Sequence, residues 1–272
     1  MDTQIIATYC LCDDVLKGFG HWEDPQSQMT DAEVLTSGVV AALYFGGNLS
    51  RACQMLGEQG YIPKMLGKSR FNRRLHRVAE QVGVLFGVLG ELWKEWNTDS
   101  TYVLDSFPLL VCENCRIRRC HLCQGEEWRG YQASKKRYFY GVRLHFLVTG
   151  QGEPVEFFLT PGSVNDTTAL KMYHLDLPEG SKVIGDKAFN DYRYEDLLKE
   201  ANMTLLPLRK INSKRPYPPW QAYWLGVQRK VVETAGSLIE RLLPKHIHAV
   251  TFRGFELKVA LFVLASSISL LC

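Results

Sequence analysis

The spacing of apolar residues changes near residue 98, and the change divides the chain into two halves. Before it, apolar residues recur every three or four positions, the spacing that lines one face of a helix. Ile5 to Phe19 follows this spacing, and Val34 to Tyr44 follows it again. Thr30-Asp31-Ala32-Glu33 precedes the second run with a hydroxyl and acids in capping-box order. Gly46-Gly47-Asn48 predicts its end, and Asn48 or Ser50 is placed to cap a third helix reaching Leu56. Ser69 is placed to cap a fourth, over Arg70 to Leu89. Residues 1–97 are therefore expected to form a small all-helical domain.

From Asp99 onward the texture is that of strands. Thr101–Val111, Arg137–Thr149 and Pro154–Thr160 are strand-like, and Gly150-Gln151-Gly152 joins the last two as a hairpin. Asp166 is placed to cap a helix, and Val183-Ile184 forms a short strand that stops on Gly185-Asp186. Asn190 or Asp191 then caps a helix over Tyr192–Ala201, and Met203–Leu208 is a last strand. Val227–Leu243 returns to helical period. Leu257–Cys272, about 16 residues long, is too short for a membrane span of about 20 and predicts a buried terminal helix. This β-β-β-α-β-α-β series predicts an α/β fold over residues 98–272, a mixed sheet flanked by helices.

Composition adds little by itself: 272 residues, 46% of them hydrophobic, suffice for a full core, and a net charge of +3 identifies no partner. The distribution of charge says more. Lys64, Lys68, Arg70, Arg73, Arg74 and Arg77 fall in a segment without an acid. They suit a helix contacting DNA phosphates, with a solvated helix face as the plain alternative. Residues 201–232 also contain no acid but carry Arg209, Lys210, Lys214, Arg215, Arg229 and Lys230. Tyr217, Trp220, Tyr223 and Trp224 are interleaved, and prolines at 216, 218 and 219 predict an irregular basic loop over 209–226. Such a loop fits a nucleic-acid backbone with unstacked bases; the alternative is a cover of aromatics over the core. Residues 1–20 lack a basic start followed by an apolar run, which predicts a cytoplasmic protein, with no membrane partner, whose eight cysteines stay reduced.

Three acids carry the candidate chemistry. Asp105 interrupts a strand among Leu104, Phe107 and Leu109, where a carboxylate is costly unless paired or bound to a cation. Asp186 ends a strand, and a strand that ends on a carboxylate aims it at the crevice where ligands bind in α/β sheets. Glu233 shares a helical stripe with Arg229, Ser237 and Glu240, beside the apolar face of Val232, Ala235 and Ile239. Three acids from three elements suit a hard cation such as Mg²⁺ or Mn²⁺. Two such ions about 4 Å apart activate an attacking oxygen and stabilise the leaving one in phosphodiester chemistry.

These residues stand in blocks that resemble those of bacterial DDE transposases, with the insertion sequence 982 family as the nearest likeness. The blocks are Asp105-Ser106-Phe107-Pro108-Leu109, Tyr140-Gly141-Val142-Arg143-Leu144-His145, Gly185-Asp186-Lys187-Ala188-Phe189 and Arg229-Lys230-Val231-Val232-Glu233-Thr234. Asn165-Asp166 also resembles a family block, with a supporting or capping role for Asp166. The resemblance covers the chain from about residue 100 to its end, with a weaker likeness of the helical first 97 residues. It implies a ribonuclease-H-like fold with Asp105, Asp186 and Glu233 as a catalytic triad binding two Mg²⁺ or Mn²⁺ ions. It implies cleavage at the terminal inverted repeats of an insertion sequence and transfer of the 3′-hydroxyl ends to target DNA. A homodimer on paired ends is implied too, and no small-molecule substrate. Related enzymes often place Tyr, Arg and Lys at fixed steps around the Glu. Arg229 matches, but Gly226 and Glu240 stand at the other two positions, where Arg241 or Lys245 could supply the missing cation. A catalytically inactive DNA-binding remnant, or a nuclease without strand transfer, remains an alternative.

Cys112-x2-Cys115-x4-Cys120-x2-Cys123 offers four thiols for a structural Zn²⁺. The central gap is short for a zinc ribbon and contains Arg116, Arg118 and Arg119, so residues 112–136 are read first as a basic, cysteine-containing insertion.

Overall fold

The computed structural model describes residues 1–133 and 135–271. Its helices are α1 (Asp2–Gly18), α2 (Asp31–Phe45), α3 (Leu49–Glu58), α4 (Lys68–Arg77), α5 (Ala79–Trp96), α6 (Asp166–Leu170), α7 (Tyr192–Glu200), α8 (Pro219–Leu242) and α9 (Phe252–Ile268). The strands are β1 (Thr101–Cys112), β2 (Arg129–Gln132), β3 (Arg137–Thr149), β4 (Pro154–Pro161), β5 (Lys182–Gly185) and β6 (Thr204–Pro207). Ser134, inside the expected insertion, and Cys272, the end of the expected terminal helix, lie outside the described residues. The chain forms two compact units, residues 1–89 with 239–272, and residues 90–238.

In the first unit α2 is the central element, packed by α1, α3, α4 and α9. It is buried on nearly every side from Asp31 to Ala42, as expected of a helix apolar all round. Its start is the predicted capping box: the Thr30 hydroxyl accepts from the Glu33 amide, and the Thr30 amide donates to the Glu33 carboxylate. Its end needs Gly46, whose φ of 55° lies in the left-handed region. A Cβ on the next residue, Gly47, would lie 2.9 Å from Phe262 of α9.

Two sequence boundaries differ here. The fourth predicted helix is two helices, α4 starting from Gly67 and α5, because Val78 leaves helical geometry (ψ 21°) and buries its side chain. The division at 97/98 followed the change of apolar spacing, whereas packing groups α9 with the N-terminal helices. The physical reason is α9 itself, whose residues from Leu257 to Ile268 are mostly buried and pack on α2. Among the described residues no helix is long and apolar enough to cross a membrane.

The second unit holds a mixed sheet. β4, β3 and β1 are antiparallel neighbours, and β5 and β6 continue from β1 in parallel. Three antiparallel strands followed by two parallel ones, with helices between the later strands, is the ribonuclease-H-like arrangement. β5 is short and its Val183, Ile184 and Gly185 are buried, as befits a parallel strand flanked on both edges. β2 lies inside the expected insertion and pairs with Arg137–Tyr140 of β3; its Arg-Gly-Tyr-Gln sequence gave no alternating apolar signal.

The expected loop over 209–226 is shorter in the structure, because α8 begins at Pro219. Proline suits the first turn of a helix, where its missing N–H has no partner to lose. Trp220 and Tyr223 are thus helical, and both are exposed.

Candidate active site

Strand register brings the two aspartates together. β1 and β5 are parallel neighbours, and Val103 is paired with Ile184. Asp105 and Asp186 each stand two residues further on, side by side where β5 ends. Asp105 is opposite Phe146 of β3, so both side chains leave the same face of the sheet. α8 covers that face: a Cβ on Gly236 would lie 3.2 Å from the Phe146 ring. Glu233 precedes Gly236 by three residues and so shares its side of the helix.

Gly236, an unusual residue for the middle of a helix, is therefore the point at which α8 approaches the sheet. Gly236→Val is expected to force α8 off Phe146, at about 1–3 kcal/mol of stability, carrying Arg229 and Glu233 with it. Gly236→Ala asks for a few tenths of an ångström and improves helix propensity by about 1 kcal/mol, so it should be tolerated. Thermal melts beside a DNA-cleavage assay check both.

The electrostatics centre on Arg229. Its guanidinium is ion-paired with Asp186, and its Nε lies 3.5 Å from a Glu233 oxygen. Asp105 accepts a hydrogen bond from the Ser106 amide at 2.8 Å, and Asp186 one from the Lys187 amide at 2.5 Å. Burial pushes the Asp105 carboxyl up to about 6; the Ser106 amide and the Arg229 charge oppose this, and the charges of Asp186 and Asp166 add to it. Asp105 is thus a half-buried acid that its neighbours leave short of positive charge. A divalent cation beside Asp105 and Asp186 fits that deficit. Glu233 is more open, at 61% exposure, and is tied to Arg229. Among the described residues no three His, Cys, Asp or Glu side chains stand together as a ready ion site.

Asp166 has a different place from the one its sequence position predicts. The side chain that caps α6 is that of Asn165, which accepts from the Thr168 amide. Asp166 instead accepts from the Ser106 hydroxyl at 2.7 Å and lies 3.6 Å from Arg143. Arg143 also donates to Ser106 and to the Tyr131 carbonyl. Ser106 follows Asp105 directly, so this cluster braces the strand that carries the first acid. Arg143 in the middle of an apolar strand was the signal available in the sequence.

The expected DNA-contacting cations divide into two groups. On α4, Phe71 and Leu75 are buried while Lys68, Arg70, Arg73 and Arg77 are exposed, and Lys64 is exposed in the preceding loop. Arg74 faces inward, donating to Asp31, Glu23, Ser27 and the Met29 carbonyl; its role is to hold the helical unit together. Arg209 is likewise engaged, with both Glu195 oxygens at 2.6 and 2.7 Å and the Tyr192 and Tyr217 rings against it. Arg215 pairs with Asp196 at 2.7 Å and remains half-exposed. Lys210, Lys214, Trp220, Lys230 and Arg241 are exposed, whereas Arg229 belongs to the acid cluster.

The cysteine cluster is partly assembled. Burial, with a hydrogen bond to Cys120, pushes the Cys112 thiol up to about 11, and burial pushes Cys123 up to about 12. Cys115 is exposed and its thiol points to Glu113. These four do not form a ready zinc site.

A protein-family model described as a transposase DDE domain matches residues 96–246, more than half of the chain. Among solved structures, a cryo-EM structure of a piggyBac transposase synaptic complex with hairpin DNA is similar at a TM-score of 0.45. It is 10% identical, over 96% of this chain and 72% of that one. No curated protein sequence matches the chain.

Proposed function

Since the chain belongs to the transposase DDE domain family, whose members are DNA-cleaving enzymes, we propose that it cuts and joins the ends of an insertion sequence. The narrower likeness to the insertion sequence 982 family is part of this reading. The observation that carries it is the meeting of Asp105, inside β1, with Asp186, just past the end of its parallel neighbour β5, beneath the helix that bears Arg229 and Glu233. All four residues lie inside the matched segment.

Asp105 and Asp186 would hold divalent cations, Mg²⁺ or Mn²⁺, with Glu233 as the third ligand. Bound there, two such ions supply activation of the attacking oxygen and stabilisation of the leaving one. Arg229 neutralises Asp186 and Glu233 between them and is placed to exchange those contacts for a backbone phosphate. The Ser106–Asp166–Arg143 cluster holds β1 at the position where Asp105 projects. The exposed arginines of α4 give the helical unit a face for the terminal inverted repeats. Two ends must be joined, so the enzyme works as a homodimer, on DNA in the cytoplasm.

The test is incubation with a labelled duplex carrying the element's own ends, a supercoiled target and Mn²⁺. Cut ends joined to target are the expected products. Cuts without joined product would indicate a nuclease, and retarded but uncut DNA an inactive binding protein.

A further inference from the structure

The helical unit contains a cleft of about 1010 Å³ between the start of α3, one side of α4 and the segment 244–251 that precedes α9. Its lining includes apolar side chains of α4 and α9, Leu75, Leu257 and Phe262. Lys68, Lys245 and Lys258 stand around it with His76 and His248, and no Asp or Glu lines it. Among the described residues none of these three lysines takes part in an ion pair. That sets them apart from Arg74 and Arg209, which carboxylates of their own unit hold. Lys258 is the sharpest case. Its ammonium is half-buried and donates to the His248 carbonyl, with no anion beside it, and burial pulls its pKa down. A cation withdrawn from water without a counter-charge is a site that waits for one.

The cleft is too large and open for one small anion, and its lysines come from three places in the chain: Lys68 on α4, Lys245 in the segment before α9 and Lys258 on α9. Apolar side chains beside cations drawn from three places in the chain suit a sugar–phosphate chain, whose deoxyribose rings are apolar and whose charges are spaced along it. Lys68 also begins α4, and Lys68, Asn72, Leu75 and His76 turn to the cleft while Arg70, Arg73 and Arg77 are exposed on another side of the helix, so the cleft is a cationic site separate from that face. We propose that this cleft binds backbone phosphates of double-stranded DNA, which makes segment 244–251 a second phosphate-contacting element beside α4. The inference rests on the DNA-acting function given above, and most of the residues involved lie outside the segment matched by the family model.

Fluorescence anisotropy with a labelled duplex, measured across a salt series on the full chain, tests it. Lys245→Ala removes an exposed charge and should leave the fold intact; Lys258→Met keeps the apolar stem of the partly buried side chain. Each variant is expected to lower the slope of log affinity against log salt by about 1, and the double variant by about 2. Melts matching the wild type would show that the loss is not unfolding. Wild-type binding with an unchanged slope in Lys245→Ala and in the double variant overturns this inference alone. Absence of duplex binding by the wild type overturns it together with the function on which it rests.

Discussion

Asp105→Asn is expected to abolish DNA cleavage, by about 10²-fold or more, while making the protein more stable above neutral pH. The two effects share one cause. Burial raises the carboxyl from 3.8 to about 6, so keeping it ionised costs about 3 kcal/mol. The sign follows from proton binding: with a raised folded-state value, the folded protein binds the proton more tightly than the unfolded chain. The acid therefore adds most stability below its unfolded value of 3.8, and this is lost as pH rises through about 6. Asparagine removes the loss, so the gain should appear at about pH 8 and vanish at about pH 4. A divalent cation removes the same loss in the wild type. Mg²⁺ or Mn²⁺ should raise its melting temperature at the higher pH and leave that of Asp105→Asn unchanged. A variant no more stable than the wild type at about pH 8 would show that Asp105 is not the strained, cation-seeking group described here.

Glu195→Ala should be the most damaging single change in the sheet unit away from the acids. Arg209 and Glu195 are 9% and 8% exposed and joined by two short hydrogen bonds. Removing one partner of such a pair leaves a buried charge uncompensated, at about 3–5 kcal/mol. Arg209 also donates to Asn190, which bonds the Leu208 carbonyl, and its guanidinium stacks on Tyr192 and Tyr217. The pair thus fixes the segment that leads from β6 into α8, and α8 carries Arg229 and Glu233. Denaturant unfolding measures the loss. Replacing both partners, as Glu195→Leu with Arg209→Met, should recover much of it, because no buried charge is then left alone. Equal stability of Glu195→Ala and the wild type would contradict the assignment.

The sequence was most legible where local chemistry and packing agree. Thr30 and Glu33 form the capping box they spell out, and Arg137–Thr149 is a strand over the span its alternation predicts. Asp105 and Asp186 were singled out by a polar residue in an apolar strand and by a strand ending on a carboxylate. Their adjacency depends on the parallel pairing of β1 with β5, which no local pattern encodes. What failed to show has a long-range cause. Arg74 looks like its neighbours on α4 until the fold brings Glu23 and Asp31 to it. Arg209 looked like part of a basic loop for the same reason, since Glu195 sits on a separate helix. Three prolines suggested a loop where the last of them starts a helix, because proline breaks a helix only beyond its first turn. Gly236, unusual in the middle of a helix, is the close approach of α8 to Phe146, a contact no local pattern encodes.

The most direct measurement is cleavage of a labelled duplex carrying the element's ends, with Mn²⁺ or EDTA, wild type beside Asp186→Asn. Cuts at the element boundary that require the metal and vanish in the variant are the predicted result. Metal-dependent cuts of equal yield in Asp186→Asn would contradict the assignment of the acids. Duplex that the wild type binds but leaves uncut would contradict the enzyme itself.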